Sequence, residues 1–193
     1  IERASKDIRF SIIGEKGAAN LNRAEEATTR LDNLAVARDL FKDPETNQFF
    51  VDKNIDGFNR WLKEHAEDVV RLYHGTGESV DVANQGLLRT TNKRRRTYQS
   101  TSGYVYLSLY PSAAQLFGEL AYPYENIKVY AVDVKIKELK PDFDQLSNKR
   151  LYDEDLSQLG NSLAESLIYG GGARVKRNIF PYEPLFKFTG LGI

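Results

Sequence analysis

His74 is the residue of this sequence whose type and surroundings best suit chemistry. It follows a short extended run, residues 69–73, and is itself followed by Gly75, Thr76 and Gly77. A glycine beside such a histidine suits a binding site, because only a residue without a Cβ atom lets a ligand approach the backbone closely. Taken alone, His74 would be better explained as a structural histidine at the end of a strand.

Three further pieces follow the histidine motif along the chain. A segment closes in Gly86-Leu87, a strand reads Gly-Tyr-Val-Tyr-Leu-Ser over residues 103–108, and a helix rich in small residues follows over residues 112–117. The second strand carries an aromatic ring, Tyr106, and a hydroxyl, Ser108. Together with the histidine motif, these pieces favour a ligand site over a purely structural histidine.

The four pieces, in this order, resemble the signature of the ADP-ribosyltransferase superfamily, in its poly(ADP-ribose) polymerase-like and RNA 2′-phosphotransferase-like branch. The resemblance extends over about residues 69–117. It implies an α+β fold with a split β-sheet core and flanking helices. It also implies that NAD is the substrate and that nicotinamide is released as ADP-ribose passes to a macromolecular acceptor, either protein or nucleic acid.

The resemblance assigns the motif residues to NAD. His74 is expected to hydrogen-bond the adenosine-side ribose, the backbone of Gly75 to hold the nicotinamide amide, and Tyr106 to stack on the nicotinamide ring. Thr76 and Ser108, which complete the two motifs, are expected to bind the cofactor as well. Cleavage of the bond between nicotinamide and ribose passes through an oxocarbenium-like state, so a negative group is needed near the sugar.

That negative group is expected to be Glu183, at the start of the last predicted strand. Relatives present a glutamate at the mouth of a late strand, and where some branches place it this sequence has Arg174. The alternative is Glu165, on the exposed face of a helix that ends before glycines 170–172, which is a poor platform for a group that needs accurate placement. Pro184, directly after Glu183, restricts the last strand to an edge position or its first residue.

Phe117 has two interpretations. It lies eleven residues after Tyr106, the spacing at which polymerase-like relatives carry a second aromatic ring over the nicotinamide. It also fits the core side of a helix, together with Leu116 and Leu120. Both interpretations stay open.

Two other functions compete with ADP-ribosyl transfer. RNA 2′-phosphotransferases also consume NAD, but that family expects arginine before the histidine, where this sequence has Tyr73. The other alternative is a catalytically inactive module that binds a nucleotide or a partner through the same cleft. The triplet 100–102, Ser-Thr-Ser, together with Arg71, resembles part of the arginine-specific toxin signature. No Glu-x-Glu occurs in the chain, so the triplet is interpreted as a polar loop.

Residues 93–96, Lys-Arg-Arg-Arg, form the densest charge cluster of the chain. On a loop between the two motifs, four cations could hold the phosphates of NAD or the phosphodiester of a nucleic-acid acceptor. Most runs of this kind are solvated loop, and that interpretation is favoured.

Composition narrows the possible sites. The chain has 193 residues, of which 41% are hydrophobic, enough for one domain with a genuine core and an extension. Its 27 basic and 27 acidic residues cancel, so net charge indicates neither nucleic-acid nor membrane binding. With no cysteine and only two histidines, no disulfide or thiolate is available and no metal centre is expected. Since no apolar run approaches the ~20 residues that cross a bilayer, we expect no membrane contact and a cytoplasmic location, in a bacterium or a host cell.

Apolar periodicity predicts helices before the motifs and mainly strands among them. Helical spacing covers residues 20–42 and 55–68, with a break at 43–47, and Trp61 is expected in the core. Strands are predicted at 69–73, 104–109, 127–136, 173–176 and 185–188, and later helices at 79–85, 111–120 and 155–166. This order predicts an α+β domain over residues 66–193, preceded by an N-terminal arm and helical extension over residues 1–65.

The chain contains no methionine and begins at Ile1, so we expect it to be a processed piece of a longer polypeptide. An arm with glycine and lysine, followed by a helix rich in Ala, Glu, Arg and Leu, resembles connecting segments of phage or mobile-element polyproteins. ADP-ribosyltransferases occur there as modules. The resemblance therefore implies an effector or toxin released from a longer chain.

Overall fold

The computed structural model describes residues 37–91 and 100–190. The basic run 93–96 lies outside these residues, as does most of the helix predicted over residues 20–42. The described end of that predicted helix is not helical, because Arg38 pairs with Val70 in a parallel bridge and a turn follows over residues 40–42. The helix prediction is therefore wrong for residues 37–42.

Two helices precede the sheet, α1 (Pro44–Asp52) and α2 (Ile55–Glu64). The predicted break at residues 43–47 is wrong, because this segment starts α1. The Asp43 carboxylate accepts the Glu45 N–H at 2.9 Å, and Pro44 stands in the first turn, where its missing N–H costs nothing. Trp61 of α2 is buried in the core, as predicted.

The described residues contain a six-stranded sheet in which every neighbouring pair is antiparallel. Its strands are β1 (Val69–Gly77), β2 (Val105–Ser108), β3 (Ile127–Lys135), β4 (Leu139–Lys140), β5 (Gly172–Val175) and β6 (Leu185–Lys187). They lie in the order β4-β5-β2-β1-β3-β6. Together with the helices around it, this sheet confirms the predicted α+β class.

Four helices lie between or beside these strands in the described part of the chain. They are α3 (Val82–Gln85), α4 (Pro111–Ala121), α5 (Phe143–Tyr152) and α6 (Leu163–Glu165), and α6 continues as a π-helix over Ser166–Gly170. The sequence pattern did not predict α5. The helix predicted over residues 155–166 is also wrong, because the structure has a 3₁₀ turn at Glu154–Leu156, a non-helical stretch and then α6.

Side chains alternate across the strands, so the sheet carries two apolar layers. Leu72 belongs to the larger layer, which includes Phe58 and Trp61 of α2 and Leu167 of the π-helix. Its neighbour Tyr73 belongs to a smaller layer with Ala114 of α4 and with Val129 and Ala131 of β3. Helices α1 and α2, predicted as an extension, thus share the main core with the sheet.

Candidate functional site

The sheet is almost open between its two central strands. β1 pairs with β3 over nine positions, but it pairs with β2 at a single position, Tyr73 opposite Ser108. A cleft of about 350 Å³ lies beside this opening. Its wall is formed by the ends of β1 and β2, residues 87–91, the inner side of α4, the first turn of α5 and glycines 170–172.

His74 spans the opening with its side chain. Its Nδ1 lies 2.7 Å from the carbonyl oxygen of Tyr106 on β2. A carbonyl oxygen can only accept, so Nδ1 must carry the proton, and in the neutral ring Nε2 is then the nitrogen with the lone pair. The two sequence motifs are therefore joined directly, through the side chain of His74 in the first and the backbone of Tyr106 in the second.

The Tyr106 hydroxyl belongs to a polar network at the cleft wall. It donates to the Asp144 carboxylate, and Arg174 Nη1 lies 3.4 Å from the same hydroxyl oxygen. The N–H and the hydroxyl of Thr101 also donate to Asp144, at 2.9 and 2.8 Å. Burial, and after it the bond to Asp144, raises the pKa of Tyr106, so the phenol stays protonated at neutral pH.

Opposing effects set the pKa of Asp144. Burial alone would raise it, but the hydrogen bonds from Thr101 and Tyr106 and the charge of Arg174 outweigh burial and lower it. Asp144 is therefore a carboxylate whose charge is held by donors around it. The loop over residues 100–102, predicted as a polar loop, supplies two of those donors through Thr101.

Arg174 is buried at the position where the resemblance to ADP-ribosyltransferases led us to expect a glutamate. It stands on β5 directly opposite Tyr106 and is only 3% exposed. Its guanidinium lies over the rings of Tyr104, at 4.0 Å, and Phe143, at 4.8 Å, while Nη1 is 3.5 Å from Asp144. Its Nε is buried without a hydrogen-bond partner within the described ranges. This geometry makes Arg174 a support of the cleft wall, since it does not line the cleft itself.

Asp142 is the second carboxylate of the cleft. It caps α5 by accepting the Gln145 N–H at 3.0 Å, and its own N–H donates to Ser166 Oγ at 2.8 Å. Ser166 in turn donates to the carbonyl of Gly172 on β5, at 2.7 Å. Burial raises the pKa of Asp142, followed by partial compensation from the Gln145 N–H and a further increase from the nearby charge of Asp144.

Helix packing requires a glycine at position 75, for a reason that the sequence pattern did not suggest. A Cβ atom at this position would lie 1.9 Å from the carbonyl oxygen of Ala114, in the first half of α4. Gly118, one turn later, would meet the Gly75 backbone at 3.1 Å if it carried a Cβ. The missing Cβ of Gly75 therefore admits helix α4, and Gly75 also borders the cleft.

The remaining motif residues converge on the same cleft. Thr76 and Ser108 are buried and contribute to its wall. Phe117 lies on the cleft side of α4 and is 39% exposed, whereas Ala114 and Gly118 form the buried face of that helix. Of the two interpretations of Phe117, the structure supports the cleft position.

Glu183 is not brought to the cleft. Its carboxylate pairs with Arg177 Nη1 at 2.8 Å and accepts the Phe180 N–H at 2.6 Å, and it is absent from the cleft wall. Glu165 is likewise engaged, as the reciprocal cap of α6 that accepts the N–H groups of Gly160 and Ser162. Neither predicted carboxylate is placed to act on a ligand in this cleft.

Asp142 and Asp144 are the cleft carboxylates that sequence reasoning missed. Their signal was a helix start, because Asp142 follows Pro141 as a cap, Asp144 lies in the first turn, and Lys149 and Arg150 lie in the last turn. Apolar spacing in α5 is weak, with Leu146 its one fully buried residue. Apolar periodicity therefore does not predict this helix.

Comparison with protein-family models, with curated proteins and with solved structures finds no match. Within residues 37–91 and 100–190, no group of three or more His, Cys, Asp or Glu side chains could hold a metal ion. In the same ranges, none of the helices has the length and apolar character needed to cross a bilayer.

Proposed function

We propose that this protein binds NAD in the cleft between β1 and β2 and transfers ADP-ribose to a macromolecular acceptor, releasing nicotinamide. The observation that carries the proposal is the bond from His74 to the Tyr106 backbone across the open strands. It brings the two motifs that resemble ADP-ribosyltransferases to one cavity.

The cleft has the size and composition of a small-molecule site. About 350 Å³ falls within the usual range for such sites, which are mostly apolar with a few convergent polar groups. Tyr106 and Phe117 supply aromatic surface for the nicotinamide ring. His74, Thr76 and Ser108 supply polar groups for the ribose and the amide.

In the proposed reaction the bond between the ribose C1′ and the nicotinamide nitrogen breaks, and its electron pair leaves with nicotinamide. An acceptor oxygen or nitrogen forms the new bond to C1′ and loses its proton. We assign that proton to Asp142, because its raised pKa suits proton acceptance better than the fully bonded carboxylate of Asp144 does. Both carboxylates place negative charge near the developing positive charge on the sugar.

Arg174 favours a second candidate function, NAD binding without transfer. A buried cation occupies the β5 position where relatives' glutamate was expected, and it holds Tyr106 and Asp144 through its guanidinium. A protein that kept the cleft but lost the transfer reaction would show this replacement. Turnover separates the two functions, whereas binding is common to both.

NAD binding is tested by thermal unfolding with and without millimolar NAD, because a ligand that binds only the folded state raises the melting temperature. We expect a shift for the wild type, a much smaller shift for His74→Ala and an unchanged shift for His65→Ala. His65 is the matched control, since it stacks on Trp61 in α2 and does not line the cleft. Equal shifts in all three proteins would overturn the cleft assignment.

Transfer is tested with labelled NAD and separate pools of protein, DNA and RNA. Asp142→Asn keeps the helix cap and removes the charge, so we expect turnover to fall about a hundredfold with little change in NAD affinity. Glu183→Gln, outside the cleft, is expected to hydrolyse NAD at the wild-type rate when no macromolecular acceptor is present. Loss of activity in Glu183→Gln alone would contradict the assignment, and NAD binding without any turnover in the wild type would favour the second candidate.

A further inference from the structure

Two aromatic rings lie stacked on the surface close to the cleft. Phe180 and Tyr182 are parallel within 3°, with their ring centroids 5.4 Å apart. They are 44% and 59% exposed. An apolar pair of this kind, kept at the surface in a parallel stack, offers a flat face to a planar ligand.

The turn that carries the rings is held by the carboxylate of Glu183. This carboxylate accepts the Phe180 N–H at 2.6 Å and pairs with Arg177, which also bonds Glu138 at 2.8 Å. The Glu183 N–H closes the turn on the Phe180 carbonyl at 3.1 Å. The backbone of the turn is thus held in place by these bonds, so little backbone ordering would oppose binding.

A short ribbon joins this turn to the cleft. Leu87 and Ile179 exchange two backbone hydrogen bonds, at 2.8 and 2.9 Å. On one side of the ribbon, Leu88 and Arg89 line the cleft, and on the other side Phe180 begins the aromatic pair. A ligand that reached from the rings to the cleft would follow this ribbon.

Two cations flank the ribbon without carboxylate partners among the described residues. Arg89 is exposed, and its backbone N–H is held by the Asn178 side chain at 2.9 Å. Lys176 is exposed on the facing segment, three residues before Ile179. Arg177, which follows Lys176 in the chain, is paired with Glu138 and Glu183. Arg89 and Lys176 are therefore available to a negatively charged ligand.

We propose that Phe180 and Tyr182, with Arg89 and Lys176, form a platform that binds single-stranded nucleic acid beside the cleft. Stacking of bases on aromatic rings, together with cations along the backbone, is how proteins bind single strands with little sequence preference. In a duplex the base faces are covered by neighbouring bases, so the rings favour single strands. Single-stranded nucleic acid would then be the acceptor of the proposed transferase. Its role as acceptor rests on the proposed function, whereas its binding to the platform does not.

The binding test uses a fluorescein-labelled 12-nucleotide single strand, as DNA and as RNA, and the duplex of the same sequence. Fluorescence anisotropy is measured at low salt and over a salt series. We expect the single strands to bind more tightly than the duplex, and the double variant Phe180→Ala/Tyr182→Ala to weaken binding about tenfold or more. Arg89→Gln and Lys176→Gln should each reduce the salt dependence by about one log unit per log unit of salt.

Matched controls separate the platform from general surface effects. Tyr152→Ala removes an exposed aromatic ring on α5, and Lys63→Gln removes an exposed cation on α2; both should bind like the wild type. No binding by the wild type, or equal losses in the controls, would overturn the platform. Labelling of the protein pool alone, with no oligonucleotide binding, would also overturn it and would point to a protein acceptor.

The NAD melting shift is measured on the same variants. Because the rings lie outside the cleft wall, Phe180→Ala/Tyr182→Ala should keep the full shift. Oligonucleotide binding without an NAD shift in the wild type would leave the platform standing and end the proposed function. An NAD shift without oligonucleotide binding would overturn the platform and leave the proposed NAD binding standing.

Discussion

At the scale of single residues, hydrogen-bond partners show which polar side chains lie in the cleft and which are engaged elsewhere. Position in the sequence alone does not distinguish the two groups. Glu183 lies two residues before the last strand, and its carboxylate is engaged by Arg177 and the Phe180 backbone. Asp142 is placed in the cleft by a chain of bonds through Ser166 to β5. Tyr106 offers its ring to the cleft while its hydroxyl is held by Asp144.

The ring and the hydroxyl of Tyr106 are separable. Tyr106→Phe should lower the free energy of unfolding by about 1–2 kcal/mol, because Asp144 loses a donor in a partly buried site. NAD binding should persist, since the stacking surface remains. Denaturant titration measures the first effect and the NAD melting shift measures the second.

Tyr104→Phe is the matched control for this substitution. Its hydroxyl has no hydrogen-bond partner in the described part of the chain, and the ring still lies under the Arg174 guanidinium. We expect a change within about 0.5 kcal/mol. Similar destabilisation by both substitutions would mean that the bond to Asp144 contributes no more than the ring environment.

At the scale of elements, the fit between β1 and α4 forms one wall of the cleft. Two glycines, Gly75 on the strand and Gly118 on the helix, let the backbones approach. The helix then presents Phe117 and Leu120 to the cavity. A glycine next to a candidate binding histidine can thus be required by helix packing.

Gly75→Ala should destabilise the fold, because its Cβ would overlap a backbone oxygen that no side-chain rotation can move. Overpacking of this kind costs about 1–3 kcal/mol, and NAD affinity should fall as α4 is displaced. Thermal and denaturant unfolding measure the loss. Gly170→Ala is the control, because its Cβ would meet Gln145 side-chain atoms only at ordinary contact distances of 3.4 and 3.8 Å. A stable Gly75→Ala protein would show that α4 can shift freely.

Sequence patterns predicted the strands better than the helices. β3 was predicted to within one residue, although residues 131–134 are buried on both faces of the sheet and the sequence pattern suggested one exposed face. β1 was predicted but ended four residues early, because glycines 75 and 77 are not typical of strands. α1 and α5 were missed since few of their side chains are buried, so their signal lies in the capping residues Asp43 and Asp142. Apolar periodicity therefore identifies helices and strands that bury one face. Helices that bury few side chains are identified by their capping residues instead.

The site was predictable where it depends on short motifs and not where it depends on long-range contacts. His74, Tyr106, Ser108 and Phe117 were singled out by the resemblance of short motifs to a known family, and all four border one cleft. Asp144 reaches Tyr106 from a helix 38 residues further along the chain. No local pattern specifies such a contact, because the intervening strands decide which helix faces which strand.

At the scale of the whole molecule, the two cleft carboxylates give opposite contributions to acid stability. The pKa of Asp144 is lowered from 3.8, so its stabilisation is fully present above that pH and is lost as the pH falls through the folded-state value. The pKa of Asp142 is raised, so its contribution is present at low pH and is lost as the pH rises through the folded-state value. Neutralising each one should therefore change stability in opposite directions.

We expect Asp144→Asn to be less stable than the wild type at pH 7 and to approach it as the pH falls below 3.8. Asp142→Asn, which keeps its helix cap, should be as stable as or more stable than the wild type at pH 7. Its advantage should disappear in acid, where the aspartate is protonated. Urea unfolding of the three proteins between pH 3 and pH 7 measures both trends, and parallel pH profiles for the two variants would contradict the opposite pKa shifts.

The strand order also sets the sequence of events during synthesis on the ribosome. The central strands β1, β2 and β3 emerge first, whereas their outer neighbours β5 and β6 emerge last. Until then, the outer edges of β2 and β3 expose backbone groups that can pair with another chain. A nascent chain in which β1 to β3 have paired before β5 and β6 are made would therefore present two open edges, and such edges are sites of aggregation.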